Sequence, residues 1–333
     1  MRAVVHDRYG EPEVLRLEEV VVPTPRPDQV LVEVVATSVN LTDWECLRGA
    51  PLYARIGGLR RPARPTLGSD IAGRVAAVGA GVTDFEPGDE VYGDNLGLKG
   101  GFAEYALAPA SAVAHKPEGL TFAEASTIPQ AGAIALQGVA GATSGTRVLI
   151  NGAGGGTGSF AIQLAKRSGA HVTGVDNTRK LDFMRSVGAD AVVDHTEEDF
   201  TRRRSAYDLV LDLVGTRPVL ACVRSLAPGG RYRWVGGSVP SLMRVVTAGS
   251  LAGLLTGRRA GLLAVRQGPA HFGPLAALCA DGRVTAHVDR TFGLDGVPDA
   301  LRRVGEGRAL GKVVIEIGRD TDHREMRARH VDP

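Results

Sequence analysis

A run of glycines carries the first chemistry. Gly152, Gly154, Gly155, Gly156 and Gly158 follow the apolar stretch Val148-Leu149-Ile150, and from Ser159 onward Phe160, Ile162, Leu164 and Ala165 adopt a helical spacing. A buried strand, a turn without side chains and a helix start together make an anion site. The backbone can approach a pyrophosphate closely, and the free N–H groups and positive dipole end of the helix face it. Eighteen positions after Gly158 stands Asp176, closing a second strand, His171–Val175. A carboxylate at that place accepts hydrogen bonds from an adenosine ribose.

A glycine pattern needs its context. Strands are expected at Ala191–Val193, Leu209–Val214 and Arg231–Gly236, with helices between them, the last around Pro218–Leu226. Successive right-handed β-α-β steps imply a doubly wound parallel sheet of the dinucleotide-binding kind. The first 120 residues read differently. Short strands such as Arg2–His6, Leu15–Val22, Val30–Ala36 and Gly73–Val78 alternate with turn signals such as Glu86-Pro87-Gly88-Asp89, which argues for a partly open β-barrel. Asn40–Gly49 reads as a short helix capped by Asn40 or Thr42, and Thr121 with Glu124 forms a capping box. Residues 239–266 read as apolar helical pieces, and 318–333 as a charged, mobile tail.

Length and charge bound the class. At 333 residues the chain exceeds one typical core, so two domains are expected. With 39 Lys and Arg against 37 Asp and Glu the net charge is only +2, and aromatic residues are 5%, which argues against a nucleic-acid partner. No apolar run is long enough to span a bilayer. Cys46, Cys222 and Cys279 are far apart and odd in number, which fits a reducing cytoplasm.

Several segments together carry a family resemblance. They are Tyr9-Gly10-Glu11-Pro12, Ser38-Val39-Asn40 with Asp43, Leu67-Gly68-Ser69-Asp70-Ile71-Ala72-Gly73, Phe85–Val91, Gly101-Phe102-Ala103-Glu104-Tyr105, Asn151–Gly158 and Gly311-Lys312-Val313-Val314. The chain resembles the medium-chain dehydrogenase/reductase superfamily, in its zinc-free quinone oxidoreductase (zeta-crystallin-like) branch, over nearly everything from Met1 to Ile317. The resemblance implies an α/β protein: a GroES-like β-barrel catalytic domain over 1–120, a Rossmann NAD(P)-binding domain over 121–270, and a return segment, 271–317, completing the first domain. It also implies a homodimer through the sheet edge, with the strand Arg231–Gly236 and residues 240–266 as the surface.

The zinc alcohol dehydrogenases of this superfamily place a Cys where Asn40 stands and a His-Glu pair where Ser69-Asp70 stand. Asn40 and Ser69 are poor zinc ligands, no His lies within 20 residues of either, and the loop Gly93–Gly101 has no Cys. No metal is therefore expected. Without a Lewis acid, alcohol oxidation is a poor prospect, and hydride delivery to an already electrophilic quinone or α,β-unsaturated carbonyl fits better.

For the cofactor, the expected contacts are Ala153, Gly154, Gly155, Gly156, Thr157 and Gly158 at the pyrophosphate, with Pro129 nearby. Gly236, Gly237 and Ser238 are expected beside the nicotinamide, and Lys312 is expected to approach the cleft from the last strand. Asp176 favours NAD(H), whereas Arg179 and Lys180, with Asn177, are placed to hold a 2′-phosphate, and the resembled branch implies NADPH. Both nucleotides stay open. For the substrate, Asn40 and Asp43 are expected to face the cleft. Tyr53 matches a family tyrosine near the quinone site, where a phenol can supply a proton. The expected activity is NAD(P)H-dependent reduction of quinones or enones. The alternatives are an enoyl-thioester reductase of secondary metabolism, and a dinucleotide-binding sensor without turnover.

Overall fold

The computed structural model describes residues 1–56, 58–236 and 243–317. Gly237, Ser238 and the tail 318–333 lie outside the described residues.

The core of the nucleotide-binding half is a six-stranded parallel sheet. Its strands are β8 (Arg147–Asn151), β9 (His171–Asp176), β10 (Ala191–Asp194), β11 (Tyr207–Asp212), β12 (Leu226–Trp234) and β13 (Arg259–Leu262), in spatial order β10-β9-β8-β11-β12-β13. Both faces are covered, so the middle strands are continuous apolar runs: Val148, Leu149, Ile150, Leu209, Val210 and Leu211 are fully buried. The order reverses beside β8, which puts the ligand crevice at the carboxyl ends of β8 and β11. The strand expected at Arg231–Gly236, β12, is not itself the edge: β13, within the stretch 239–266 read as helical pieces, pairs along its outer side. Arg-Ala-Gly-Leu has no alternation of its own, and pairing with β12 makes it a strand.

The other half is a seven-membered sheet wound into a barrel, antiparallel except where β14 and β15 pair in parallel. The path runs β14-β15-β3-β4-β5-β7, with β6 also on β3. A separate hairpin of β1 (Arg2–Val5) and β2 (Arg16–Glu19) opens the chain; β3 is Gln29–Val39, β4 Asp70–Val78, β5 Glu90–Asp94, β6 Tyr105–Pro109 and β7 Val113–His115. The last two strands, β14 (Val288–Phe292) and β15 (Lys312–Glu316), come from the far end of the chain, and β15 pairs antiparallel with β3 from Val313↔Val39 to Glu316↔Ala36.

Three helices position the site. Helix α1 (Leu41–Arg48) follows β3 directly and ends on Gly49 in the left-handed conformation. Helix α2 (Phe122–Ser126) starts with the expected capping box, Thr121 with Glu124. Helix α3 (Pro129–Gly138) opens on a proline, whose missing N–H costs nothing at that position. Further on, α4 (Gly156–Arg167) leaves the glycine turn and buries Phe160, Ile162 and Leu164 against the sheet.

Candidate active site

The glycine turn folds as its residue types dictate. Gly152 has φ +86°, a conformation that suits glycine, and a Cβ on Gly158 would lie 2.3 Å from Gly152 O, so neither position accepts a side chain without moving the turn. The turn is pinned from the other half of the molecule: Gly311 N donates to Gly154 O (3.0 Å), and Gly155 bridges Gly311 in parallel. Ala153 and Gly158 are buried, while Gly155, Gly156 and Thr157 are half-buried at the helix start.

Asp176 closes β9 beside this turn. Its Oδ2 accepts from Gly154 N (3.0 Å), and its Oδ1 accepts from Asn177 N (2.9 Å) and Asn177 Nδ2 (3.2 Å). Lys180 is buried, with Nζ 3.4 Å from Asp176. Arg179 is exposed, and Asn177 Oδ1 accepts from its backbone N–H. Of the two expected phosphate cations, one is therefore already paired with the acidic residue and the other points to solvent.

The second part of the site is a buried polar knot where β3, β4, β15 and α3 meet. Lys312 Nζ donates to Asn40 Oδ1 (2.7 Å) and lies 3.4 Å from Asp70 Oδ2. Asn40 Nδ2 donates to Asp70 Oδ2 (2.9 Å) and to Ser69 Oγ (3.3 Å). Ser38 Oγ lies 3.1 Å from Asp70 Oδ2, and Gln130 N, in the first turn of α3, donates to Asp70 Oδ1 (3.1 Å). Lys312 and Asp70 are both buried, and burial pushes the Asp70 carboxyl up and the Lys312 ammonium down, while their mutual attraction offsets part of each. The Lys312 stem runs along the glycine turn: a Cβ on Gly156 would lie 2.3 Å from its Cδ. One lysine therefore touches both the pyrophosphate turn and the Asn40 cap.

Two expected contacts are placed differently. Asp43 is fully buried; it faces away from solvent into the barrel, where Oδ2 accepts from Asn40 N (2.9 Å) and Oδ1 from Gly68 N (3.1 Å). Its charge holds the helix start and the 68–69 loop in place. Asn40 has protein partners on both side-chain polar atoms, so a direct hydrogen bond to a substrate oxygen requires one of these contacts to open. Tyr53 lies half-buried in the short 3-10 turn Leu52–Arg55 after α1, and its hydroxyl donates to Glu45, 3.0 Å from each carboxylate oxygen. Pro129 is buried at the start of α3 and Gly236 half-buried after β12.

Sequence reasoning missed Asp70 as the hub of the knot. The available signal was a carboxylate opening an otherwise apolar strand, Asp70-Ile71-Ala72-Gly73. It also missed a second cluster behind Asp43. Lys99 Nζ is 3.9 Å from Asp43 Oδ1, and Lys99 Nζ, Asp94 Oδ2 and Asn95 Oδ1 are buried without a hydrogen-bond partner. Burial, and then the Asp70 charge, push the Asp94 carboxyl up to about 7.

The donor set does not fit zinc. An amide, a hydroxyl and one carboxylate surround an ammonium group, and a divalent cation among them would face that like charge at contact distance. Among the described residues no group of three or more His, Cys, Asp and Glu is arranged to hold a metal.

Residues 26–118 match the alcohol dehydrogenase GroES-like domain, and residues 187–315 match the zinc-binding dehydrogenase family model. The chain is 34% identical to a 2-methylene-furan-3-one reductase of Solanum lycopersicum, over 95% of this chain and 79% of that one. The solved quinone oxidoreductase of Coxiella burnetii superposes with a TM-score of 0.86 at 29% identity, covering 96% of this chain and 99% of that one. A mycobacterial protein solved in complex with NADPH superposes with a TM-score of 0.81 at 25% identity, covering 95% and 100%. The chain belongs to the medium-chain dehydrogenase/reductase superfamily, in its quinone oxidoreductase (zeta-crystallin-like) branch.

Proposed function

We propose that this chain, an NAD(P)H-dependent oxidoreductase, reduces quinones and α,β-unsaturated carbonyls without a metal. The observation that carries this reading is the Lys312 ammonium seated on Asn40 and Asp70, positions at which zinc relatives would place ligands. A bound reduced nicotinamide supplies the hydride. The chain's own residues do the rest. Ala153–Gly158 and the start of α4 present N–H groups to the pyrophosphate, and Lys312 adds a positive charge beside them. Pro129 and Gly236, with Gly237 and Ser238, frame the nicotinamide end. Asn40 and Asp43 hold the knot that fixes Lys312, and the Tyr53 phenol is the proton donor to the reduced acceptor. Burial and the Glu45 carboxylate push this phenol above its ordinary value, so it stays protonated.

Asp176 supports use of NAD(H), because a 2′-phosphate would meet its buried carboxylate. Lys180 at 3.4 Å and Arg179, exposed beside it, support acceptance of NADP(H). The balance within this group sets the preference.

The two sheets support domain limits at 1–120, 121–270 and 271–317, with β14 and β15 returning to the first, while the helix Pro269–Ala280 packs Phe272 and Leu275 into the core of the parallel sheet. The exposed edge strand β13 and the exposed side chains of Met243, Val246, Leu251 and Leu255 support a homodimer through that edge. No helix among the described residues is long and apolar enough to cross a membrane. The three free cysteines support a reducing, cytoplasmic setting.

Loss of reduced-nicotinamide absorbance with NADPH and with NADH, against para-quinones, enones and simple aldehydes, tests the reading. Turnover of quinones or enones but not aldehydes is expected; reduction of aldehydes alone would overturn it.

A further inference from the structure

Glu45 is a carboxylate to which the reading above assigns no proton transfer. It sits in the second turn of α1, half-buried, with Tyr53 Oη at 3.0 Å from both of its oxygens. The charged and titratable groups that act on it are Tyr53 from the following turn and Lys99 from the loop after β5, with Cys46 beside it on its own helix. Burial pushes the Glu45 carboxyl up, and the Tyr53 hydrogen bond and the Lys99 charge offset only part of that. Lys99 in turn lies 3.9 Å from Asp43, which caps the helix start at Asn40. The Lys99 charge thus acts both on Glu45 and on the cap of the helix that carries it.

A hydroxyl has one proton to donate. While Glu45 is ionised, that proton points at the carboxylate and is withheld from a substrate oxygen. When Glu45 is protonated, it donates to the phenol oxygen, and the Tyr53 O–H is free to turn toward the cleft.

We infer that Glu45 acts through Tyr53 as the positioning group and proton supply for reduction, an inference that rests on the reductase reading above. The step balances. Hydride adds to the β-carbon of an enone and the π electrons move to the oxygen, giving an enolate. The Tyr53 O–H bond breaks and its proton joins the enolate oxygen. The Glu45 O–H bond breaks and its proton restores the phenol. Solvent reprotonates the Glu45 carboxylate. The two electrons come from the reduced nicotinamide and the proton from water by way of Glu45.

The test measures kcat and KM against pH for the full chain, with 2-cyclohexen-1-one and NADPH or NADH, for wild type, Glu45→Gln, Glu45→Asp and Tyr53→Phe. In wild type, kcat should fall as pH rises through the Glu45 pKa, because the protonated form is the active one. Glu45→Gln should lose roughly 10-fold or more in kcat, at the lower end of general-acid effects, keep its KM for the nucleotide, and lose the pH-dependent limb. Glu45→Asp should retain that limb, and the Glu45→Gln/Tyr53→Phe double variant should be no slower than Tyr53→Phe alone. Unchanged nucleotide binding, read by cofactor fluorescence, shows that the variants are folded. A Glu45→Gln enzyme with wild-type kcat and an intact limb, beside an impaired Tyr53→Phe, overturns the inference alone. Wild-type protein that binds the nucleotide and reduces neither the enone nor a quinone overturns the reductase reading and the inference with it.

Discussion

Lys312 and Asn40 are 272 positions apart in the chain and joined by a 2.7 Å hydrogen bond. The last strand of the protein thereby closes onto the helix cap that follows the third. Because the same lysine stem lies across Gly156, this contact couples the substrate half to the cofactor turn. Replacing Lys312 by Met leaves Asp70 buried without its cation, and removing one partner of a buried pair costs about 3–5 kcal/mol. Lys312→Met should therefore unfold at lower denaturant and bind NAD(P)H at least about 10-fold more weakly. Adding Asp70→Asn should recover stability but not affinity. Equal recovery of both would mean that Lys312 is structural only. Denaturant melts and cofactor titrations read the two quantities.

Asp176 should govern the nucleotide ratio. Its loss in Asp176→Ala removes the charge that opposes a 2′-phosphate and frees Lys180, 3.4 Å away, to meet one. The ratio of kcat/KM for NADPH over NADH should rise by about 10-fold or more, the equivalent of roughly 1.4 kcal/mol. An unchanged ratio would show that the acidic residue does not select between the nucleotides.

The glycine turn, Asp176 and the Thr121–Glu124 box were legible in the sequence because each signal is local: a few residues determine their own backbone and its hydrogen bonds. The family segments placed Asn40 and Lys312 in one cleft. Their direct contact was not legible, because it depends on β15 pairing with β3 across most of the chain. Asp70 was legible only as part of a family segment and as a ligand position of the zinc relatives, not as a hub, since its partners Asn40, Gln130 and Lys312 are 30, 60 and 242 positions away. Lys99 and Asp94 carry no signal of their own in the sequence, and only the fold shows them buried. β13 escaped because four residues without alternation carry no strand signal.

Asp94 should make stability fall with pH. Its carboxyl is raised from an ordinary 3.8 to about 7, so the folded state holds a proton that the unfolded state releases between those values. In that window the native state binds more protons, and stability drops as pH rises, reaching its full loss above the folded pKa. The shift of about three units bounds the loss at about 4 kcal/mol. Asp94→Asn keeps an oxygen that can accept from Leu96 N and removes the charge. It should be more stable than wild type by about 1–3 kcal/mol at pH 8, with the gain shrinking toward pH 5. Denaturant titrations at several pH values measure this, and a gain that grows toward acid would reverse the assigned sign.

The metal-free claim is tested most directly by one comparison: reduction of an enone and a para-quinone by NADPH and NADH, before and after exhaustive EDTA treatment, with zinc content measured on the same samples. The account predicts turnover unchanged by chelation and no stoichiometric zinc, because Lys312 holds the place between Asn40 and Asp70. Activity lost on chelation and restored by added zinc would contradict it.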